Sequence, residues 1–407
     1  MMAPSRICSS LRWLPLGATL LALSAGIGCS SGKPQPNKVS PPVSLRPVWT
    51  SPALAGVTTL WGGSFSPDGS RVVVALQVGE EGENEQYQLW VVGQDTKTCL
   101  SRGPIALYPD WNPGSQEVVY LDETERRRWQ QEHKADWGQG RVAHEPAPKL
   151  TIVDAKTGAS RVLGVPSADC GPPRWSPDGS TISLTALLPY AEGKEVLLLV
   201  DAGNGRVRPV PPIGGIRLIE LPPAWSADNQ SVLMLGYGST EGPQQALWMA
   251  DLRTQSVRCV WTSRGLTGVL AIGFDRASGD PCYVPCTSGP PPDRLRESAT
   301  LFRYDTEDNQ AVEIAQVYAE PEWEIEIPTL SPDGNGLAAV SFGPEPKAGA
   351  EVPNDVLLWC RDGRTGREEL PSGVDGLVLA WSRDGRRIAI SEWDGKQTKI
   401  VVYEFSR

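Results

Sequence analysis

From about residue 43 onward the apolar residues fall in short runs, each introduced by a polar turn. Phe65-Ser66-Pro67-Asp68-Gly69 precedes the apolar stretch 72–76, and Trp175-Ser176-Pro177-Asp178-Gly179 precedes Ile182 and Leu184. Looser or matching copies start at Trp111-Asn112-Pro113-Gly114, Trp225-Ser226-Ala227-Asp228-Asn229, Phe274-Asp275, Leu330-Ser331-Pro332-Asp333-Gly334 and Trp381-Ser382-Arg383-Asp384-Gly385. The anchors at 65, 111, 175, 225, 274, 330 and 381 lie 46, 64, 50, 49, 56 and 51 residues apart. Each copy continues into a second apolar run, from 88–91 in the first to 400–403 in the last. Such a fixed period marks a repeat architecture.

The chemistry of one copy explains its shape. Pro sets φ at the first central position of a type I turn, Asp bonds its own backbone, and Gly accepts the left-handed conformation. Asn229 in place of Gly keeps that left-handed option. The turn joins two antiparallel strands, and the large residue before it ends the first of them. One copy is then a four-stranded sheet with two apolar faces, neither of which it can bury alone. Seven copies arranged radially bury both.

The Trp-Ser-Pro-Asp-Gly motif ahead of an apolar strand resembles the WD-like repeat of TolB-type β-propellers, over about Leu45 to the C-terminus. The fold class this implies is all-β, a seven-bladed β-propeller, and the resemblance implies a periplasmic interaction role. Copies two, four and five depart from the Pro-Asp-Gly or Arg-Asp-Gly pattern. The family namesake also carries a small α/β domain ahead of its propeller, where this sequence shows only a polar tether.

The last copy predicts strands near 376–382, 386–392 and 398–405, one short of four. Leu45-Arg46-Pro47-Val48-Trp49-Thr50 resembles the missing outermost strand. It is expected to pair with 399–405 and close the ring, which removes both open sheet edges. Pro47 suits an edge position.

The first forty residues read as an address. Residues 1–12 are basic, and residues 13–28 form an uncharged, mostly apolar run of 16. That is short for a spanning helix, which needs roughly 20 residues, and fits a signal peptide over 1–28. Gly28-Cys29 resembles a bacterial lipoprotein signal, with Cys29 as the lipid attachment; Gly26 stands where that family has Leu. The alternative is an ordinary cleaved signal with an incidental Cys. Residues 29–42 form a flexible tether and 43–407 the propeller.

Composition narrows the function classes. Net charge is −10, which opposes a nucleic-acid partner, since that binding rests on a basic footprint. Two His in the whole chain make a multi-His metal centre hard to build, so no metal and no cofactor is expected. No Gly-x-Ser-x-Gly elbow, P-loop, dinucleotide fingerprint or Asp-rich calcium loop appears. Carboxylates are plentiful, yet no pair is placed for acid/base work, so no catalytic residue is assigned. Of the 15 Trp, Trp90, Trp111, Trp175, Trp225, Trp248, Trp359 and Trp381 are assigned to packing between blades. Past Cys29, six Cys in an oxidising compartment allow up to three disulfides, with buried thiols as the alternative. Cys282 and Cys286 lie in one predicted strand and pair only if Pro285 bends it back.

The irregular positions lie on the face opposite the Pro-Asp-Gly turns. The largest is an insertion in blade two, residues 122–149, with a short exposed helix expected over 123–135. It carries Arg126, Trp129, His133, Trp137 and His144; Trp323 sits in another loop of the same face. Exposed Trp and Arg are frequent binding hot spots, and these six are the candidate partner-binding residues. The competing reading is a solvated excursion whose Trp residues pack on their own blade. The expected function is a non-catalytic cell-envelope scaffold lipoprotein, exported and membrane-attached through its lipid, that binds a protein or envelope polymer. The alternative is a propeller hydrolase or lyase acting on glycans or peptides at the channel mouth.

Overall fold

The computed structural model describes residues 44–406, apart from 79–85, 104, 106–107, 134–144, 166–168, 189–193, 211–216, 219–220, 238–244, 263–267, 287–297, 321–322, 326–327, 344–353, 372–374 and 394–395. The chain divides into two units, Met1–Pro42 and Val43–Arg407. The expected signal peptide, Cys29 and the expected tether fall within residues 1–42, outside the described residues.

The second unit is a ring of seven antiparallel sheets. Blade one shows the pattern: Val57–Phe65 is innermost, followed outward by Arg71–Val78, Gln86–Gly93 and Lys97–Arg102. Phe65 ends the innermost strand, and residues 66–70 turn the chain into the next one, as the repeat predicts. Adjacent blades touch through their inner strands around the ring, including Val57–Phe65 of blade one against Asp375–Trp381 of blade seven.

Blade seven is closed as expected. Its own strands are Asp375–Trp381, Arg387–Trp393 and Gln397–Phe405, and Leu45–Thr50 adds the fourth. Leu45 faces Phe405 and Thr50 faces Val401, with a bulge between Pro47 and Trp49. Pro has no N–H to give a ladder, and this outer edge needs none there. Two serines finish the seam: Ser406 N donates to the Ser44 carbonyl at 2.8 Å, and their hydroxyls meet at 2.7 Å.

The innermost strands are interrupted for a sequence reason. Pro109, Pro173, Pro223 and Pro328 all stand two residues before the blade anchor and cannot donate to the neighbouring strand. Blades three, four and six therefore have inner strands in two pieces, such as Asp169–Cys170 and Arg174–Trp175 on the same partner. Blades one, five and seven lack that Pro and keep a continuous but bulged strand.

The apolar core lies between blades rather than in one centre. Val119, Leu121, Leu150 and Ile152 of blade two pack on Trp175, Ile182 and Leu198 of blade three. Leu45, Trp359, Trp381 and Tyr403 join blades six and seven, with Phe405 stacked on Trp381 at 5.6 Å. Of the seven Trp assigned to packing, Trp111, Trp175, Trp359 and Trp381 are buried. Trp90, Trp225 and Trp248 are half-buried against the same clusters.

Of the two readings of the cysteines, the free-thiol one holds for four of the six. Cys99, Cys259, Cys282 and Cys360 are free thiols. Cys282 lies in the strand Pro281–Cys286, which pairs from Phe274 to Gly268 across a bulge. Pro285 does not bend it back on itself.

Candidate functional site

The two faces of the ring are built for different work. On the turn face, one motif recurs in five blades: the Ser hydroxyl donates to the Asp two residues on at 2.6 Å, in Ser66–Asp68, Ser176–Asp178, Ser226–Asp228, Ser331–Asp333 and Ser382–Asp384. In four of them that hydroxyl also accepts from the N–H five residues on, as Thr181 N to Ser176 Oγ at 3.0 Å. The Asp carboxylate in turn accepts the N–H two residues on, as in Ser180 N to Asp178 at 3.0 Å. Burial alone would raise the Asp178 pKa, but Ser176 and Ser180 together hold it below its ordinary value. For Asp228 the Ser226 hydroxyl is the largest influence, again downward. These acids are ionised and committed to their own turns, which suits holding shape rather than moving protons.

Blade five solves the same problem differently. Asp275 occupies the Ser position, is 3% exposed, and pairs with Arg303 at 3.0 Å. The Asp333 turn of blade six reaches it through Arg276 N, which donates to the Asp333 carbonyl at 3.0 Å.

Arg383 departs from the repeat most sharply. It stands where four copies have Pro, and its guanidinium donates to Pro113 O at 3.1 Å and Pro177 O at 2.9 Å. Those carbonyls belong to the turns of blades two and three, on the other side of the ring axis. The side chain therefore spans the channel mouth on this face.

Above those two turns, on the channel wall, lies a second cluster. Asp110 of blade two accepts from Trp175 N at 2.8 Å and from Arg174 Nη1 at 3.0 Å. Next to it Tyr108 adopts φ +64, a left-handed conformation that bulky side chains avoid. Its ring lies against Gly62, where an added Cβ would come within 2.2 Å of it. Burial pushes the Tyr108 hydroxyl pKa up, and the nearby Arg174 charge offsets part of that.

On the loop face, the blade-two insertion forms the helix Thr124–Glu132, with no buried residue. Arg126 pairs with Glu145 at 2.8 Å and Glu123 at 3.4 Å, Gln130 also reaches Glu145, and Lys149 pairs with Glu125 at 2.5 Å. Arg127 lies over the Tyr87 ring of blade one. Trp129 stacks on His133 at 4.6 Å, and His133 Nδ1 contacts the Trp129 carbonyl at 2.9 Å. Of the six candidates, Arg126, Trp129 and His133 thus share this helix or its end. Trp137 and His144 lie outside the described residues. Trp323 is elsewhere, partly buried against the core between blades five and six.

Tyr108, Asp110, Arg174 and Arg383 are not among the residues singled out from the sequence. Superposing the copies carries a signal for two of them. The position before each anchor holds Ser64, Asp110, Arg174, Ala224, Gly273, Thr329 and Ala380, so only blades two and three place a charge there.

No protein-family model and no curated protein matches the chain. Among solved structures, an oligogalacturonate lyase in complex with manganese matches 90% of this chain and 97% of its own, at 12% identity and TM-score 0.55. The β-propeller domain of the Trilobed protease from Pyrococcus furiosus matches 84% and 97%, at 9% identity and TM-score 0.51. TolB from Acinetobacter baumannii matches 82% and 80%, at 15% identity and TM-score 0.40. The chain is similar in fold to the first two of these. Among the described residues no cluster of His, Cys, Asp or Glu is arranged to hold a metal, and no helix is long and apolar enough to cross a membrane.

Proposed function

We propose that this chain is an exported, envelope-bound propeller that binds a protein or envelope polymer on its loop face. Residues 1–28 direct export, Cys29 carries the lipid, and residues 29–42 form the tether. The observation that carries the reading is the division of labour between faces. Acids and Arg383 on the turn face are spent on holding the ring, whereas the loop face presents a helix without a buried residue. Arg126, Trp129 and His133, together with Trp137, His144 and Trp323, are the proposed contact residues.

The test is affinity capture from solubilised membranes with the wild type and with a variant in which a short Gly/Ser linker replaces residues 123–148. Loss of the captured partner in the variant supports the reading; retention of the same partners contradicts it. Attachment is tested separately, since Cys29→Ala should move the protein from the membrane to the soluble fraction.

A second reading is supported by the fold likeness to an oligogalacturonate lyase across nine-tenths of this chain. In that case the protein acts on an acidic glycan at the channel mouth. Appearance of unsaturated uronate ends on incubation with oligogalacturonate would favour it over binding alone.

A further inference from the structure

Blade seven is where the chain enters the ring, and the entry lies on the turn face. The strand Gln397–Phe405 runs toward that face, and Leu45 stands opposite its last residue, Phe405. Phe405 N donates to the Arg386 carbonyl at 2.9 Å, and Ser406 N to the Ser44 carbonyl at 2.8 Å. Ser44 N donates in return to Ser406 Oγ at 3.0 Å. Contiguous hydrogen bonds thus fix the point from which the chain before residue 44 leaves the propeller, beside the turn 382–387.

That turn differs in charge from its six counterparts. Residues 382–387 hold three Arg and one Asp, whereas none of the other six turns has more than one base. Arg386 is exposed. Arg46, 68% exposed in its side chain, lies 3.8 Å from Glu404, which also holds Arg387 at 3.1 Å. One carboxylate serves two guanidinium groups, so this corner keeps a net positive charge. The segment leading into it adds Lys33 and Lys38, with no acid between residues 30 and 43. The loop face is opposite in character, since 79–85 and 320–326 each carry four Glu and no base.

Chain length favours the same side. As the expected coil, the 14 residues 30–43 span about 20 Å on average. A blade strand such as Arg387–Trp393, seven residues, is itself about 23 Å long. Bringing the loop face to a membrane would take up the whole tether in running back along the blade, whereas the turn face needs none of it. An anionic leaflet also attracts the Arg corner and repels the Glu-rich connections.

We propose that the turn-face corner of blade seven, with Arg46, Arg386 and Arg387, lies against anionic lipid headgroups, so that the loop face and its insertion point away from the membrane. This orientation rests on the reading of Cys29 as the lipid attachment.

The test is an arginine footprint of the exported protein reconstituted with phosphatidylcholine vesicles, with or without phosphatidylglycerol. Phenylglyoxal modification is read by peptide mass mapping on protein that floats with the vesicles, with detergent-solubilised protein as reference. With phosphatidylglycerol, Arg46 and Arg386 should react about fivefold more slowly. Arg128, exposed on the loop-face helix, should keep its rate. Without phosphatidylglycerol the slowing at Arg46 and Arg386 should largely vanish. Slowing at Arg128 instead, unchanged rates at Arg46 and Arg386, or equal slowing in both kinds of vesicle overturns the proposal while the anchor stands. Protein that floats with neither vesicle overturns the anchor and the proposal together.

Discussion

Arg383 of blade seven donates to the carbonyl of Pro177 in blade three, across the ring axis, at 2.9 Å. A radial repeat needs only neighbour contacts, so this bond adds something the blades do not supply. It ties the last blade to the far wall. Arg383→Pro restores the turn residue of four other copies and removes the tie. Two charge-assisted but solvent-exposed bonds are lost, so the expected cost is about 1 kcal/mol. Urea unfolding of the variant checks it, and an unchanged midpoint would show that the tie is idle.

The turn carboxylates set the acid limit of the fold. Asp68, Asp178, Asp228, Asp275, Asp333 and Asp384 are all held below the ordinary carboxylate range. A depressed carboxylate contributes stability above its unfolded pKa of about 3.9, and that contribution fades as pH falls through the lower folded value. Glu392 works in the opposite sense, because burial raises its pKa. Asp228→Asn should therefore lower the melting temperature at pH 7 and converge with the wild type near pH 2. A difference that persists undiminished at acid pH contradicts the electrostatic account.

Two glycines with positive φ separate strain from crowding. At Gly334 an added Cβ would lie 2.5 Å from the Phe274 carbonyl and 2.7 Å from the Asp275 Cα, both backbone. At Gly158 it would meet nothing within 4 Å. Gly158→Ala should cost about 1–2 kcal/mol, the conformational term alone, and Gly334→Ala clearly more. Equal losses in chemical denaturation would argue against the packing of blades five and six at that turn.

Thiol reactivity should follow burial. Burial pushes Cys282 up to about 12 and Cys360 up to about 11, and only the thiolate reacts. Cys259 is exposed. Iodoacetamide at pH 8 should modify Cys259 in the folded protein and reach Cys282 and Cys360 only after unfolding, as peptide mass mapping will show. Early labelling of Cys282 would contradict its place in the core.

Turn chemistry explains why so much of this fold is legible in the sequence. Ser-Pro-Asp-Gly carries its own hydrogen bonds within five residues, so each turn, and with it each blade, reads locally. The closing strand is legible too, because a blade one strand short has a single unassigned apolar segment to draw on, Leu45–Thr50. The exposed helix of the insertion is close to its expected span. What escaped depends on contacts between separate copies. Arg383 looks like a weak turn residue until Pro113 and Pro177 are seen opposite it. Tyr108 looks like any aromatic until Gly62 is placed beneath its ring. The thiols could not be paired or left single from spacing alone, because strand geometry decides whether two Cβ atoms face one another.

Closure of the ring by its N-terminal strand underlies everything assigned to either face. Thermal unfolding with hydrogen exchange on a variant lacking residues 43–50 tests it most directly. The deletion removes the pairing of Leu45 with Phe405, Arg46 with Glu404, Trp49 with Val402 and Thr50 with Val401, so that seam loses its partner strand. The account predicts a sharply lower melting temperature and fast exchange along Gln397–Phe405. An unchanged melting temperature with that strand still protected would contradict a propeller completed by Leu45–Thr50.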